Sequence, residues 1–184
     1  MTQNQVIAII VAVFVAAVVV LLYLKTQKSR RLRERFGPEY NRAVNEVGST
    51  RAESRLEKLE KRVGNYNIHP LEPATRDRYV QQWRVVQAKF VDDPDDAIGA
   101  ADRLLGEVMT ARGYPVADFE QQAADLSVNH PLVIEHYRAG HSIAVRHTQR
   151  QASTEDLRQA LIHYRALFDE LVEPEQRTAV AARS

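Results

Sequence analysis

Cysteine is absent from the 184 residues, which excludes a disulfide framework and any thiolate metal site. Glycine occurs only seven times and is dispersed, so there is no Walker-type phosphate loop, no dinucleotide fingerprint and no serine elbow. No segment sustains the period-two alternation of a half-buried strand, and no repeat of fixed period is visible. Tryptophan occurs once, at Trp83. These absences leave helices as the material of the fold.

What is present is sharply organised at the N-terminus. Val6 to Leu24 are nineteen consecutive apolar or aromatic residues without charge, proline or glycine. At 1.5 Å per residue this is roughly 28 Å of helix, close to the thickness of a bilayer core. A helix satisfies its own backbone polar groups, as lipid demands. A cleaved signal peptide would need a basic start, a shorter apolar core and small residues at its end. Met1 to Gln5 carry no basic side chain, and the run ends Leu-Leu-Tyr-Leu before Lys25. A retained transmembrane helix over 6–24 is therefore expected.

The next eleven residues carry six positive charges, Lys25, Lys28, Arg30, Arg31, Arg33 and Arg35, opposed by Glu34. The positive-inside rule holds that flank in the cytoplasm and leaves residues 1–5 outside, with Tyr23 at the interface. The expected location is a membrane crossed once, with the C-terminal domain on the cytoplasmic side. Ala8, Ala12 and Ala16 share one face of the span, a spacing that allows close helix approach and a homodimer in the membrane.

Residues 1–62 hold twelve basic and six acidic side chains, a formal +6, while 63–184 hold thirteen and eighteen, a formal −5. The basic half is drawn to anionic lipid headgroups, by about 1 kcal/mol per cation near the surface. The basic cluster lacks interleaved aromatics, and the acidic half repels phosphates, so no nucleic-acid partner is expected.

Residues 25–63 form a basic juxtamembrane segment and stalk, broken at Gly37-Pro38 and Gly48. Tyr40, Val44 and Val47 make one short apolar stripe; Ala52, Leu56, Leu59 and Val63 make another, out of phase with it. This supports a solvated amphipathic stalk over a continuous coiled coil or a short dimer contact. Residues 64–72 read as a linker rich in Asn and Pro.

Five helices are expected over 73–172, forming one compact bundle, with a frayed tail at 173–184. Tyr79, Trp83, Val86 and Phe90 line the first. Asp93 suits the N-cap of the second, with Pro94 and Asp96 in its first turn, Ala97, Ala101, Leu104 and Val108 on its apolar line, and Gly113 at its left-handed stop. Phe119, Ala123 and Leu126 mark the third. Asn129 can cap the fourth, from about Pro131, with Val133, Tyr137, Gly140 and Ala144 inward. Ser153 and Asp156 open the last, though Asp is one methylene shorter than the usual reciprocal Glu.

No histidines share a helix face at a spacing of three or four, and no His-Glu-x-x-His or inward Glu-x-x-His segment occurs. No catalytic, cofactor or metal residue is assigned. The candidate partner surface is GYPVADFEQQAADLSVNHP, around Tyr114, Phe119, Asn129 and His130, where an aromatic and two turns meet polar groups.

The segments LRERFGPEYNRAV, YVQQWRVVQAKFVDDP, ARGYPVADFEQQAADLSVNHP and STEDLRQALIHYRALFDELV cover most of residues 32–172. Together they resemble a group of uncharacterised bacterial single-span proteins often labelled hypothetical or secreted. The resemblance implies no reaction, ligand or catalytic residue, and the label "secreted" conflicts with the charge asymmetry around the span. The expected function is a membrane-tethered cytoplasmic interaction or scaffold module with an unidentified protein partner. The alternatives are a small-ligand sensor or enzyme domain in the bundle, or a passive spacer.

Overall fold

The computed structural model describes residues 3–173, with side chains from residue 13 onward. Among the described residues there are eight α-helices and no strand, so the chain is all-α. It divides into two units, Met1–Leu56 and Glu57–Ser184.

The first unit contains α1 (Gln3–Phe36), α2 (Pro38–Val47) and the start of α3 (Ser49–Val63). Gly37 separates α1 from α2 at φ 50°, a left-handed conformation that glycine adopts without a Cβ penalty, and Pro38 opens the next helix. The stalk is more than a solvated helix. Leu32, Phe36, Tyr40, Ala43, Ala52 and Leu56 are all buried. Glu53 is buried among them, and accepts hydrogen bonds from Ser29 Oγ at 2.5 Å and Tyr40 Oη at 3.1 Å. Val47, placed on the apolar stripe by its spacing, is exposed instead.

Among the described residues no helix is long and apolar enough to cross a membrane. The side chains of residues 6–12, Ala8 and Ala12 included, lie outside the described residues, as do residues 1–2 and 174–184. The described remainder of the apolar run, 13–24, makes about 18 Å of helix, short of a hydrocarbon core of about 30 Å.

The second unit carries α4 (Pro73–Asp92), α5 (Pro94–Ala111), α6 (Phe119–Asn129), α7 (Ile134–Thr148) and α8 (Thr154–Val172). α5 packs on α4 and α8, α8 packs on α7, and α6 leans on α7. The expected faces of α4 and α5 point inward: Tyr79, Trp83 and Val86 are buried, as are Ala97, Ala101, Leu104 and Val108. Trp83 stacks on Phe168 of α8 with ring centroids 4.6 Å apart. Its indole N–H is buried and meets no acceptor among the described residues, a cost the stacked ring must offset.

Local signals set the helix starts. Asp93 accepts from the Asp96 amide at 3.0 Å, and Asp118 accepts from Gln121 at 2.9 Å. Ser153 and Asp156 close a reciprocal capping box despite the shorter acid. At α7 the structure departs from expectation. Asn129 is the last residue of α6, and the cap of α7 is Val133, whose side chain makes no capping bond. The inward face is correspondingly shifted to Ile134, Tyr137, Gly140 and Ile143.

The segment before α4 is tied to the bundle. Ile68 and Leu71 pack against the core, and the His69 amide donates to the Arg112 carbonyl at 3.0 Å. Gly113, at φ 92°, lets the Asn67 carbonyl approach where any Cβ would collide with it. Arg112 is buried and donates from Nη1 to the Leu171 carbonyl at 2.9 Å, placing a cation at the C-terminal end of α8.

Gly140 governs how closely α7 and α8 approach. A Cβ there would sit 2.8 Å from Cδ1 of Tyr164 and 3.3 Å from the Ala160 carbonyl oxygen. Gly140→Ala is expected to destabilise the fold by about 1–3 kcal/mol through overpacking. At Gly106, inside α5, an added Cβ meets nothing within 4 Å. Gly106→Ala should therefore stabilise by up to about 1 kcal/mol. Opposite shifts in thermal unfolding midpoint check the pair, and a gain at Gly140 would refute the close-approach account.

Candidate functional site

The basic flank lies on the second half of α1. Lys25, Arg30, Arg31, Arg33 and Arg35 are exposed and Lys28 is half-buried. Helical phase gives them different surroundings. The Arg33 guanidinium lies 5.3 Å from the centre of the Tyr40 ring, a cation–π distance. Arg30 and Arg31 line an open groove of about 410 Å³ with Tyr23, Thr26, Gln27 and Glu34. Gln27 Nε2 donates to the Tyr23 hydroxyl at 2.6 Å. Ala16, the described member of the small-residue face, is exposed.

Of the four residues on the candidate partner surface, three meet at one corner. Tyr114 and His130 are buried with ring centroids 6.4 Å apart, and exposed Asn129 donates from Nδ2 to the Tyr114 hydroxyl at 3.2 Å. His130 Nδ1 lies 3.0 Å from Glu170 Oε1 on α8. That contact, more than the opposing burial, holds the Glu170 carboxyl below its usual pKa.

Phe119 belongs elsewhere, about 15 Å away at the other end of α6. Its ring stacks on His141 at 3.6 Å between centroids and 7° between planes, and lies 4.9 Å from Tyr137. Arg138 adds its guanidinium 5.9 Å from the same ring while pairing with Glu120 at 2.8 Å. Burial lowers the His141 pKa, with Asp102 and Glu120 pulling the other way. Burial also raises the Tyr137 and Tyr164 hydroxyls, and the Asp102 carboxylate adds to both shifts. Neutral imidazole and neutral phenols are the forms this region keeps.

Two polar clusters have no counterpart in the sequence reading. Asp125 on α6 is only 2 % exposed and accepts from Arg62 Nη2 at 2.5 Å and Arg62 Nε at 3.1 Å. Tyr66 Oη and Gln121 Nε2 donate to its other oxygen at 3.2 and 3.3 Å. A buried carboxylate needs such donors to offset its lost hydration. Burial raises the Tyr66 hydroxyl pKa, and the Asp125 charge raises it further. The second cluster joins α7 to α8: His136 Nδ1 and His163 Nδ1 stand 2.9 Å apart. Same-helix spacing could reveal neither, because their members sit on different elements.

Among the described residues no group of three or more His, Cys, Asp or Glu side chains is placed to hold a metal ion. Comparison with family models, curated proteins and solved structures gave no match.

Arg62→Met is expected to cost about 1–3 kcal/mol by leaving Asp125 buried with fewer donors, and Arg62→Met with Asp125→Leu should recover part of that loss. Chemical denaturation of the two variants checks this. Glu170 has a folded pKa depressed from 4.5, so its contribution is present above that value and fades as pH falls through the lower folded value. Glu170→Gln should flatten the acid side of the stability profile below about pH 4.5. An unchanged profile would remove the His130–Glu170 contact from the account.

Proposed function

We propose that this protein is a membrane-tethered interaction or scaffold module. In this reading α1 anchors it in a bacterial inner membrane with residues 1–5 outside, and the helical bundle works in the cytoplasm. The observation that carries this reading is the surface of α1. From Val13 to Leu24 the large apolar side chains are 39–69 % exposed, and among the described side chains of α1 burial begins with the polar segment at Lys28. Water penalises a helix that is apolar all round, whereas lipid accommodates it. Patches of such extent are rare on surfaces meant for water.

The basic segment that follows then lies at headgroup depth and contacts anionic lipid. The small-residue face of the span supports self-association within the membrane. The likeness to bacterial single-span proteins belongs to the same reading. For the bundle, exposed Asn129 and the half-buried ring of Phe119 are the proposed partner-facing groups, with Tyr114 and His130 buried behind Asn129, and no reaction is assigned to them.

Membrane fractionation tests the anchor. The full chain should resist alkaline extraction, while Val15→Asp with Val19→Asp, each acid costing about 2.5–3.5 kcal/mol at mid-span, should move it to the soluble fraction. A C-terminal reporter active only in the cytoplasm should be active, and replacing Lys25, Lys28, Arg30 and Arg31 with Glu should weaken that orientation. Extraction of the unaltered chain by alkali would overturn the anchor. Protease attack on the bundle from outside intact cells would overturn the orientation. Proximity labelling from the C-terminus then identifies the neighbours.

A further inference from the structure

We propose that His136 and His163 form a two-imidazole site for a divalent transition-metal ion, bridging α7 and α8. The proposal is independent of the membrane reading.

The site arises from helix packing. Gly140 and Ala160 remove side-chain bulk where α7 crosses α8, and the Tyr164 ring fills the space Gly140 leaves. His136 lies one turn before Gly140, and His163 directly precedes Tyr164. The close crossing therefore brings two imidazoles from different helices together, with Nδ1 atoms 2.9 Å apart and rings tilted by 37°.

That separation has a coordination meaning. At metal–imidazole bonds of about 2.0–2.1 Å, two nitrogens at right angles on one ion stand roughly 2.9 Å apart, against roughly 3.3–3.4 Å for a tetrahedral pair. The separation is compatible with adjacent positions on one ion of the kind that imidazole ligates, Ni(II) among them. Metal coordination requires neutral imidazole. His136 is exposed and His163 half-buried, so an ion can enter from solvent, and water can complete its coordination.

The competing arrangement is a hydrogen bond between two neutral rings, one Nδ1–H donating to the other Nδ1. It uses the same atoms and binds no ion.

Calorimetric titration of Ni(II) into the full chain, purified in detergent with a histidine-free tag, separates the two. One Ni(II) per chain is expected with a micromolar dissociation constant. Either His136→Ala or His163→Ala should weaken it by at least about tenfold, or 1.4 kcal/mol, while His147→Ala should leave it unchanged. Bound Ni(II) should also raise the thermal midpoint of the unaltered chain and fail to do so in either variant, since it stabilises only the folded crossing. Far-ultraviolet circular dichroism confirms that the variants stay folded. Binding that survives His163→Ala, or no binding below about 100 times the expected constant, would overturn the proposal.

Discussion

The second unit depends on how closely α8 is gripped between α5 and α7. On one side, Trp83 of α4 stacks on Phe168, while the apolar line of α5 covers the rest of the same helix. On the other, Gly140 lets α7 settle onto the ring of Tyr164. Interiors are packed near crystal density, so one missing Cβ determines whether two helices touch or stand apart. With that contact in place, Tyr137 and Tyr164 are buried as neutral phenols and His136 reaches His163. The end of α8 is held by the buried guanidinium of Arg112.

Polar groups are arranged on the same economy. Each deeply placed carboxylate has specific donors: Glu53 has two hydroxyls, and Asp125 has a guanidinium, a phenol and an amide. A buried carboxylate left without donors costs far more than a hydrogen bond returns. These nodes therefore specify which elements must meet, as well as stabilising them. The Asp125 node ties the end of α3 and the loop after it to α6. Together with the Asn67–Gly113 approach, it makes the segment before α4 a packed strap within its unit rather than a loose connection.

The helix content and the starts of α5 and α8 were legible in the sequence because they rest on local chemistry. Asp93-Pro94 and Ser153 with Asp156 act within one turn, so spacing alone predicts them. The inward faces of α4 and α5 follow from a regular period of 3.6. The start of α7 was not legible. Asn129 is an attractive cap by type, yet it continues α6 and donates to the Tyr114 hydroxyl, because that partner lies across a turn. The candidate surface was half legible for the same reason. Tyr114, Asn129 and His130 do converge, while Phe119, ten residues before Asn129, is drawn into a stack with His141.

What the sequence by itself determined was an all-helical chain with an apolar N-terminal run, a basic flank, and two helices, α5 and α8, opened by their own capping residues. Each of these depends on neighbours within a turn or on composition along one stretch. Only the tertiary structure decided that Glu53 and Asp125 are buried, that the stalk has an interior, and that His136 meets His163. Those outcomes depend on the angle and distance between helices, which are set by which small side chains meet at a crossing. Periodicity along a single helix carries no record of that choice.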